Sequence, residues 1–199
     1  MKCILIGNGE YHNDLIMKNK DDLLIVVDGG YNHLKNKNIT IDLIVGDLDS
    51  INDLPNDIET IKYPEIKDYT DMDLAIREGI KRGYSEFIIY GALGKRLEHS
   101  ITNIYLLQKY KDYNIKLIDQ NLECFVLENK TYNFKNKGLI SIFSLTDKSI
   151  VSIKGLKYNL ENKELTNSFP LGIDNQALGL DASIKVTEGV VLVMTRFIS

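Results

Sequence analysis

Two short acidic clusters are the residues of this chain whose types and spacing suit chemistry. Asp47 and Asp49 follow an apolar segment, and Asp71 and Asp73 open an amphipathic stretch further along. Alternate residues of an extended segment point the same way, and a carboxylate in the first turn of a helix is favoured by the helix dipole. Mg²⁺ takes hard oxygen ligands and often holds substrate phosphates. We therefore expect Asp47, Asp49 and Asp71 to bind Mg²⁺, and all four carboxylates to take part in phosphate chemistry.

Each cluster alone also has an ordinary explanation, as a polar loop after a strand or as a helix cap. The occurrence of both, separated by one strand-sized segment at 58–63, favours a shared site. Consecutive strands of a parallel sheet end at the same edge, so the two clusters are expected to meet there.

The composition narrows the class of protein. The chain has 199 residues, of which 44% are hydrophobic and 26% charged, with a net charge of −4, as is usual for a globular domain. Nothing in it indicates a nucleic-acid-binding face, since basic and acidic residues are interspersed. The apolar runs are too short for a membrane helix and the beginning is too short for a signal peptide, so we expect a cytoplasmic protein. Cys3 and Cys124, in apolar segments, are expected to be structural, reduced thiols.

The first part of the chain alternates apolar and helical segments. It predicts strands at 2–6, 23–27, 43–45, 58–62, 86–90 and 115–118, with helices at 13–18, 31–35, 71–82 and 97–109. Strands this apolar, separated by helices, indicate an α/β fold whose mostly parallel sheet carries helices on both faces. Ligands bind such sheets at the carboxyl ends of the strands.

The pattern changes after residue 120. Strand-like segments at 122–127, 130–134, 139–145, 150–154, 182–186 and 190–195 are separated by turns, and no helix is predicted. We expect an α/β catalytic domain at 1–120, followed by a small all-β, sandwich-like domain at 121–199. A domain of that size needs to pack on the first domain or on another subunit.

Further segments could contact phosphate. Asp28-Gly29-Gly30 follows a strand, where paired glycines allow a ligand to approach the backbone. The run from Gly91 to Arg96 precedes a helix and carries two cations, which favours a phosphate cradle. It matches neither the P-loop nor the dinucleotide-binding fingerprint. Lys67 adds a cation before the second acidic cluster, and 172–176 is expected to be a loop.

Taken in order, these motifs closely resemble those of the thiamine pyrophosphokinase family. The resemblance rests on Asp28-Gly29-Gly30, on 46–50, on 67–74, on 91–99, and on 155–158 and 172–176 near the end of the chain. It implies transfer of pyrophosphate from ATP to thiamine, with Mg²⁺ as cofactor, in a homodimer whose cleft includes the second subunit. It assigns nucleotide binding to Asp28, Gly29, Lys67, Gly94, Arg96 and His99, and thiamine binding to Asp174 and Asn175.

Two departures accompany the resemblance. The family usually has Gly-Gly-Arg-x-Asp-His where this chain has Gly94 to His99, and usually Ser-Asn-Glu where this chain has Asp174-Asn175-Gln176. The first change keeps Arg96, a carboxylate and His99, which favours retained nucleotide binding. The second change falls in the segment that the resemblance places near thiamine.

Two other functions compete with this interpretation. Asp47-Leu48-Asp49-Ser50 after a strand also resembles the nucleophile motif of haloacid-dehalogenase-type phosphatases, in which the first Asp is phosphorylated. That motif normally lies near the beginning of the chain, whereas two strand-helix units precede it here. A non-catalytic nucleotide-binding module is the other alternative, and the retained carboxylates argue against it.

Overall fold

The structure is a computed structural model that describes residues 1–11, 16–35, 37–51 and 54–198. The chain divides into two compact units. The first contains Met1–Leu106 and Asp112–Gln120, and the second contains Leu107–Lys111 and Asn121–Ser199. Among the described residues, no helix combines the length and the hydropathy that crossing a membrane requires.

Six parallel strands form the sheet of the first unit. They are β1 (Cys3–Ile6), β2 (Leu23–Val27), β3 (Leu43–Gly46), β4 (Glu59–Lys62), β5 (Glu86–Tyr90) and β6 (Asn114–Asp119). Their order across the sheet is β4-β3-β2-β1-β5-β6, and every neighbouring pair is parallel. Strands β1, β2 and β3 are buried along their whole length. Burial on both faces explains why they appear in the sequence as unbroken apolar runs.

The described α-helices of this part of the chain are α1 (Tyr31–Leu34), α2 (Asp71–Lys81) and α3 (Leu97–Lys109), and a short 3-10 helix at Asp28–Gly30 precedes α1. Helix α2 begins where the Thr70 hydroxyl accepts a hydrogen bond from the Asp73 amide at 3.2 Å. Its apolar side, including Met72 and Ile76, is buried. For the helix predicted at 13–18, residues 13–15 lie outside the described residues, and residues 16–18 are not helical.

The order of the strands reverses at β1. Strands β2, β3 and β4 follow on one side, whereas β5 and β6 lie on the other. Such a reversal opens a crevice at the carboxyl ends of the strands. Gly7 follows β1 and Gly91 follows β5, and a Cβ on Gly7 would lie 2.6 Å from the Gly91 carbonyl oxygen. Gly91 also has a φ of +62°, so both positions of this crevice require glycine.

The second unit consists of two antiparallel sheets. One has the order β12-β9-β14-β7 and the other β11-β10-β13-β8. Their bounds are β7 (Leu122–Glu128), β8 (Thr131–Phe134), β9 (Lys137–Ser144), β10 (Ser149–Lys154), β11 (Leu160–Leu165), β12 (Gly172–Leu178), β13 (Ala182–Glu188) and β14 (Val190–Ile198). Buried side chains from both sheets, such as Ile142 and Ile184, share one core. The unit is therefore a β-sandwich.

Two strands of the sandwich differ from the prediction. Strand β11 was not predicted, because its residues are mostly polar and exposed, as an edge strand permits. The expected loop at 172–176 is wrong, because these residues belong to β12. Their pairing with β9 is irregular between Gly172 and Asn175, and Asp174 has a φ of +55°. A bulge of this kind accommodates residue types that are common in turns, so the sequence of this strand resembles that of a loop.

The predicted fold class is confirmed: a mostly parallel α/β sheet is followed by a small β domain. Cys3 and Cys124 are both buried. Burial raises the pKa of the Cys3 thiol to about 12, so this group is a neutral core side chain at physiological pH.

Candidate functional site

Three carboxylates meet at the ends of two neighbouring strands. Asp28 follows β2, and Asp47 and Asp49 follow β3; each offers an oxygen that lies within 4.8 Å of the others. We call these residues the acidic trio. Ser50 links them, because its hydroxyl lies 2.9 Å from Asp28 Oδ2 and 2.9 Å from Asp49 Oδ1. A hydroxyl has one proton, so it donates to one carboxylate at a time.

The backbone of the trio is not extended. Asp28 has a φ of +45° and Leu48 a φ of +68°, a left-handed conformation that costs non-glycine residues about 1 kcal/mol or more each. The Asp49 amide donates to Asp47 Oδ1 at 3.3 Å, across the turned Leu48. Asp47 and Asp49 therefore approach each other through a strained turn, and not through the alternation of a strand as the sequence analysis assumed.

One oxygen of the trio has no partner among the described residues. Asp28 Oδ1 is shielded from solvent and accepts no hydrogen bond there. A buried carboxylate oxygen left in this state is costly, and buried polar atoms are usually satisfied. Together with the three clustered carboxylates, this orphaned oxygen fits a divalent cation with oxygen ligands.

Asp71 lies outside the trio and is paired with a lysine. Lys67 Nζ lies 2.9 Å from Asp71 Oδ1 and 3.7 Å from Asp47 Oδ2. The shorter contact is a close ion pair whose angle falls outside hydrogen-bond geometry. The Lys67 ammonium also donates to the Pro64 carbonyl at 3.0 Å, and its side chain is only 13% exposed. The two acidic clusters thus meet as predicted at the sheet edge, with a cation between them.

Asp73 has a different environment. Its side chain is 4% exposed and lies 3.4 Å from Arg77 Nε, and its amide donates to the capping Thr70 hydroxyl. It does not line the cleft described next, because it projects from α2 among buried neighbours. Its predicted part in catalysis remains a prediction, and its contacts are those of a residue that stabilises the beginning of α2.

A cleft of about 510 Å³ opens beside the acidic trio, within the first unit. That volume lies in the range of small-molecule sites. The predicted residues that line it are Asp28, Asp47, Lys67, Asp71, Gly94, Arg96 and His99. Gly29 does not line it but is buried behind it, where a Cβ would lie 2.4 Å from the Asn8 amide nitrogen.

Cations face the acidic residues across this cleft. Lys95 Nζ donates to Asn8 Oδ1 at 3.2 Å, and Arg96 Nε donates to Glu98 Oε1 at 2.7 Å. The Arg96 side chain is 67% exposed, so it can turn towards a ligand at small cost. Its carbonyl accepts the Ser100 amide at 3.2 Å, which places Arg96 at the N-terminus of α3. Such a terminus favours bound anions.

Glu98 and His33, at this end of the sheet, have shifted pKa values. A hydrogen bond from its own amide, and the Arg96 guanidinium, lower the pKa of Glu98. Burial and the charge of Lys95 lower the pKa of His33, although its hydrogen bond to the Gly9 carbonyl opposes them. Glu98 is therefore an anion in the cleft, and His33 is a neutral ring, stacked on Tyr11 at 5.1 Å.

The loop after β1 also lines the cleft, which the sequence pattern was not taken to predict. Gly7, Asn8 and Gly9 all line the cleft, and the Gly9 amide donates to the Gly91 carbonyl at 2.7 Å. The signal was available, because two glycines directly after an apolar strand follow the same pattern as Asp28-Gly29-Gly30. Asn103 was also missed; it is buried and donates to the Ala92 carbonyl at 2.7 Å, which holds the loop after β5.

The remaining predicted residues lie in the second unit. Asp174 is exposed on β12, and its amide donates to Ser141 Oγ at 3.1 Å. Asn175 is buried: its Oδ1 accepts the Tyr158 amide at 3.0 Å, and its Nδ2 donates to the Tyr158 carbonyl at 2.6 Å. The Asn175 side chain therefore holds the turn at Tyr158 against β12.

The parallel sheet, with its cleft at the point where the strand order reverses, defines an α/β protein with a ligand site at the carboxyl ends of its strands. Residues 15–118 match the family described as thiamin pyrophosphokinase, catalytic domain, and residues 128–191 match thiamin pyrophosphokinase, vitamin B1 binding domain. The chain belongs to the thiamin pyrophosphokinase family.

Individual proteins that this chain is similar to are also named as thiamine pyrophosphokinases. The chain is 31% identical to the thiamine pyrophosphokinase of Bacillus subtilis (strain 168) in an alignment of 140 residues, and the match covers 67% of this chain and 65% of that protein. The crystal structure of thiamine pyrophosphokinase from Bacillus subtilis has the same fold, with a TM-score of 0.87 at 23% identity over 98% of this chain and 99% of that one. A probable thiamine pyrophosphokinase from Staphylococcus saprophyticus is 30% identical with a TM-score of 0.74, and each chain is covered completely.

Proposed function

We propose that this protein is a thiamine pyrophosphokinase, which transfers the pyrophosphoryl group of ATP to thiamine and forms thiamine diphosphate and AMP. The observation that supports it best is the cleft at the strand reversal, where clustered carboxylates face two cations and a glycine-rich loop. Together with membership of the family, this arrangement fits a bound polyphosphate.

The reaction requires attack by the hydroxyethyl oxygen of thiamine on the β-phosphorus. The bond from that phosphorus to the oxygen bridging the α-phosphorus breaks, and AMP leaves with the bridging oxygen. The hydroxyl proton passes to a base, for which Asp47, Asp49 and Asp71 are the candidates. Arg96 and Lys95 are placed to share the negative charge on the phosphate oxygens.

The acidic trio fits a Mg²⁺ ion, and Asp71 is available to it once Lys67 moves away. Bound there, Mg²⁺ would neutralise phosphate oxygens during the transfer. The protein residues contribute preorganisation, because the turned backbone at Asp28 and Leu48 and the Ser50 hydroxyl hold the carboxylates together before any ligand arrives.

The acceptor end of the site belongs to the same proposal. We assign Asp174 to the thiamine side, where its carboxylate would attract the cationic thiazolium ring. Asn175 would contribute by holding the neighbouring turn. As in the family, the cleft would be completed by the second subunit of a homodimer. ATP as donor, and the buried free thiol of Cys3, support a cytoplasmic location.

The test uses the protein with Mg²⁺, thiamine and ATP labelled at the β-phosphate. We expect the label in thiamine diphosphate and an equal amount of AMP. Formation of ADP would indicate single phosphoryl transfer, and free phosphate with a phosphorylated Asp47 would indicate a phosphatase; either would refute the proposal. Replacing Asp47, Asp49 or Asp71 by Asn should lower kcat at least roughly 100-fold, the scale of one strong transition-state contact. Asp57→Asn, an exposed carboxylate outside the cleft, is the matched control.

A further inference from the structure

Lys67, which the family resemblance assigns to nucleotide binding, lies between two carboxylates of the cleft. Its ammonium lies within 4.0 Å of both Asp47 and Asp71, and it is held there by the Pro64 carbonyl. With a side chain only 13% exposed, it is one of the more shielded charges of the cleft. A shielded ammonium of this kind requires an anionic partner, and here its partners are two carboxylates predicted to bind the metal.

Lys67 also lies beside the acidic trio. Asp47 belongs to the trio and Asp71 lies outside it, and both are paired with the Lys67 ammonium. A fixed positive charge at this distance reduces the negative potential of the site and repels a free dication. The site is thus neutralised in part by a residue of the chain itself.

Resting on the function proposed above, we propose that Lys67 is a resident counter-cation that exchanges partners when the metal-nucleotide complex binds. Without ligand, its ammonium neutralises Asp47 and Asp71. In the complex, the ammonium turns to the phosphate oxygens and releases both carboxylates to the metal. The acidic site therefore selects the metal-nucleotide complex over the free metal ion.

The chain can carry out this exchange because Lys67 lines the same cleft as the phosphate-facing residues. A lysine is a point charge on a flexible stem with no fixed geometry of donation, so it can change anionic partners at little cost. The incoming phosphate replaces the carboxylates as the counter-charge. Free Mg²⁺ carries no phosphate. If it takes Asp47 and Asp71 as ligands, the Lys67 ammonium loses its anionic partners and gains none.

The test measures metal binding directly, by titrating Mn²⁺ as a spectroscopic substitute for Mg²⁺ and detecting free Mn²⁺ by electron paramagnetic resonance. The first titration contains no nucleotide. The second contains α,β-methylene ATP, in which the bond broken by pyrophosphoryl transfer is replaced. In Lys67→Met, free Mn²⁺ should bind about tenfold more tightly, because the repelling charge is gone. The metal-analogue complex should bind about tenfold more weakly, because its phosphate loses a partner.

Two variants serve as matched controls. Lys67→Arg keeps the charge and should restore the preference for the metal-analogue complex. Lys95→Met removes another cation of the cleft, one whose partner is the Asn8 amide oxygen and not a carboxylate. It should weaken binding of the analogue and change free-Mn²⁺ affinity by less than about twofold, because it is paired with no metal ligand.

The opposite directions of the two effects make the proposal falsifiable. If folded Lys67→Met binds free Mn²⁺ no more tightly than the unmodified protein, Lys67 is an ordinary phosphate ligand and the proposal is overturned. If Lys67→Met does not fold, Lys67→Gln, which can still donate to the Pro64 carbonyl, is measured by the same criterion. Lys67→Met could gain free-Mn²⁺ affinity while the unmodified protein forms no AMP from ATP and thiamine. That result would uphold the role of Lys67 and refute the pyrophosphokinase function.

Discussion

Replacement of Asp28 by Asn should stabilise the metal-free protein. Two unit charges 4.8 Å apart repel by about 0.9 kcal/mol in water and by about 3.5 kcal/mol at an effective dielectric constant of 20. Asp28 is half-buried and Asp49 is exposed, so the effective repulsion lies near the lower value for each pair. Asp28 faces two such neighbours, and Lys67 offsets part of the sum. We expect a gain of about 1 kcal/mol, or a Tm increase of about 2–4 °C for a chain of this size.

The same substitution should weaken stabilisation by Mg²⁺. Asn still accepts the hydrogen bond from Ser50 and tolerates the left-handed backbone at this position, so the fold itself is not strained. Losing one anionic ligand should reduce Mg²⁺ affinity about tenfold, which removes about 1.4 kcal/mol of ligand stabilisation when metal is in excess. The order of stability therefore reverses: Asp28→Asn has the higher Tm in EDTA and the lower Tm in saturating Mg²⁺.

Thermal unfolding of both proteins in EDTA and in Mg²⁺ tests this reversal, with Asp57→Asn as a variant of equal charge outside the acidic trio. A lower Tm for Asp28→Asn in EDTA would mean that the Asp28 carboxylate is structural. An equal response of the two proteins to Mg²⁺ would mean that Asp28 is not a ligand. Either result would refute the electrostatic reasoning.

Three further predictions concern other parts of the chain. Arg96→Ala should raise the KM for ATP at least tenfold in steady-state kinetics and change Tm by less than about 1 °C, because an exposed side chain loses little packing; a large loss of Tm with unchanged kinetics would contradict it. Asn175→Ala leaves the Tyr158 backbone groups without their partners and should cost about 2 kcal/mol in urea unfolding, whereas Tyr158→Phe, which keeps those groups, should cost far less. Burial lowers the pKa of His33 in the folded protein. The neutral His33 ring therefore contributes its full stabilisation above the unfolded-state pKa near 6.5, and this stabilisation is lost as the pH falls through the lower pKa of the folded state. Unfolding free energies between about pH 7.5 and 5 should show this loss in the parent protein and in His99→Gln, and less of it in His33→Gln; an unchanged slope in His33→Gln would refute it.

Much of the first unit could be predicted because its strands are buried on both faces. A strand such as β2 then has no polar residue to interrupt its apolar run, and its end is marked by Asp28-Gly29-Gly30. Parallel pairing places such ends along one edge, so the meeting of the acidic clusters follows from topology. The order of the strands does not follow from the sequence pattern, and it is this order that brings Gly7 beside Gly91.

The sandwich was harder to predict because an edge strand is paired on one side only. Strand β11 exposes most of its side chains, and its polar sequence resembles that of a loop. Strand β12 contains a left-handed Asp174 next to Asn175, a residue type that favours turns. The sequence suggests a ligand contact for Asn175, but only the structure shows that its Oδ1 accepts the Tyr158 and Gln176 amides and its Nδ2 donates to the Tyr158 carbonyl.

The acidic site combines features that are each unfavourable without a ligand. Three carboxylates approach one another, Asp28 and Leu48 have left-handed backbones, and one Asp28 oxygen lacks a partner among the described residues. Costs of this kind persist in a fold only where the surrounding structure outweighs them, and they concentrate at sites that act on ligands. Lys67 reduces the electrostatic part of the cost at Asp47 and Asp71. Because the remaining cost is relieved most completely when cation and phosphate arrive together, binding of the metal-nucleotide complex should stabilise the first unit more than either component does alone.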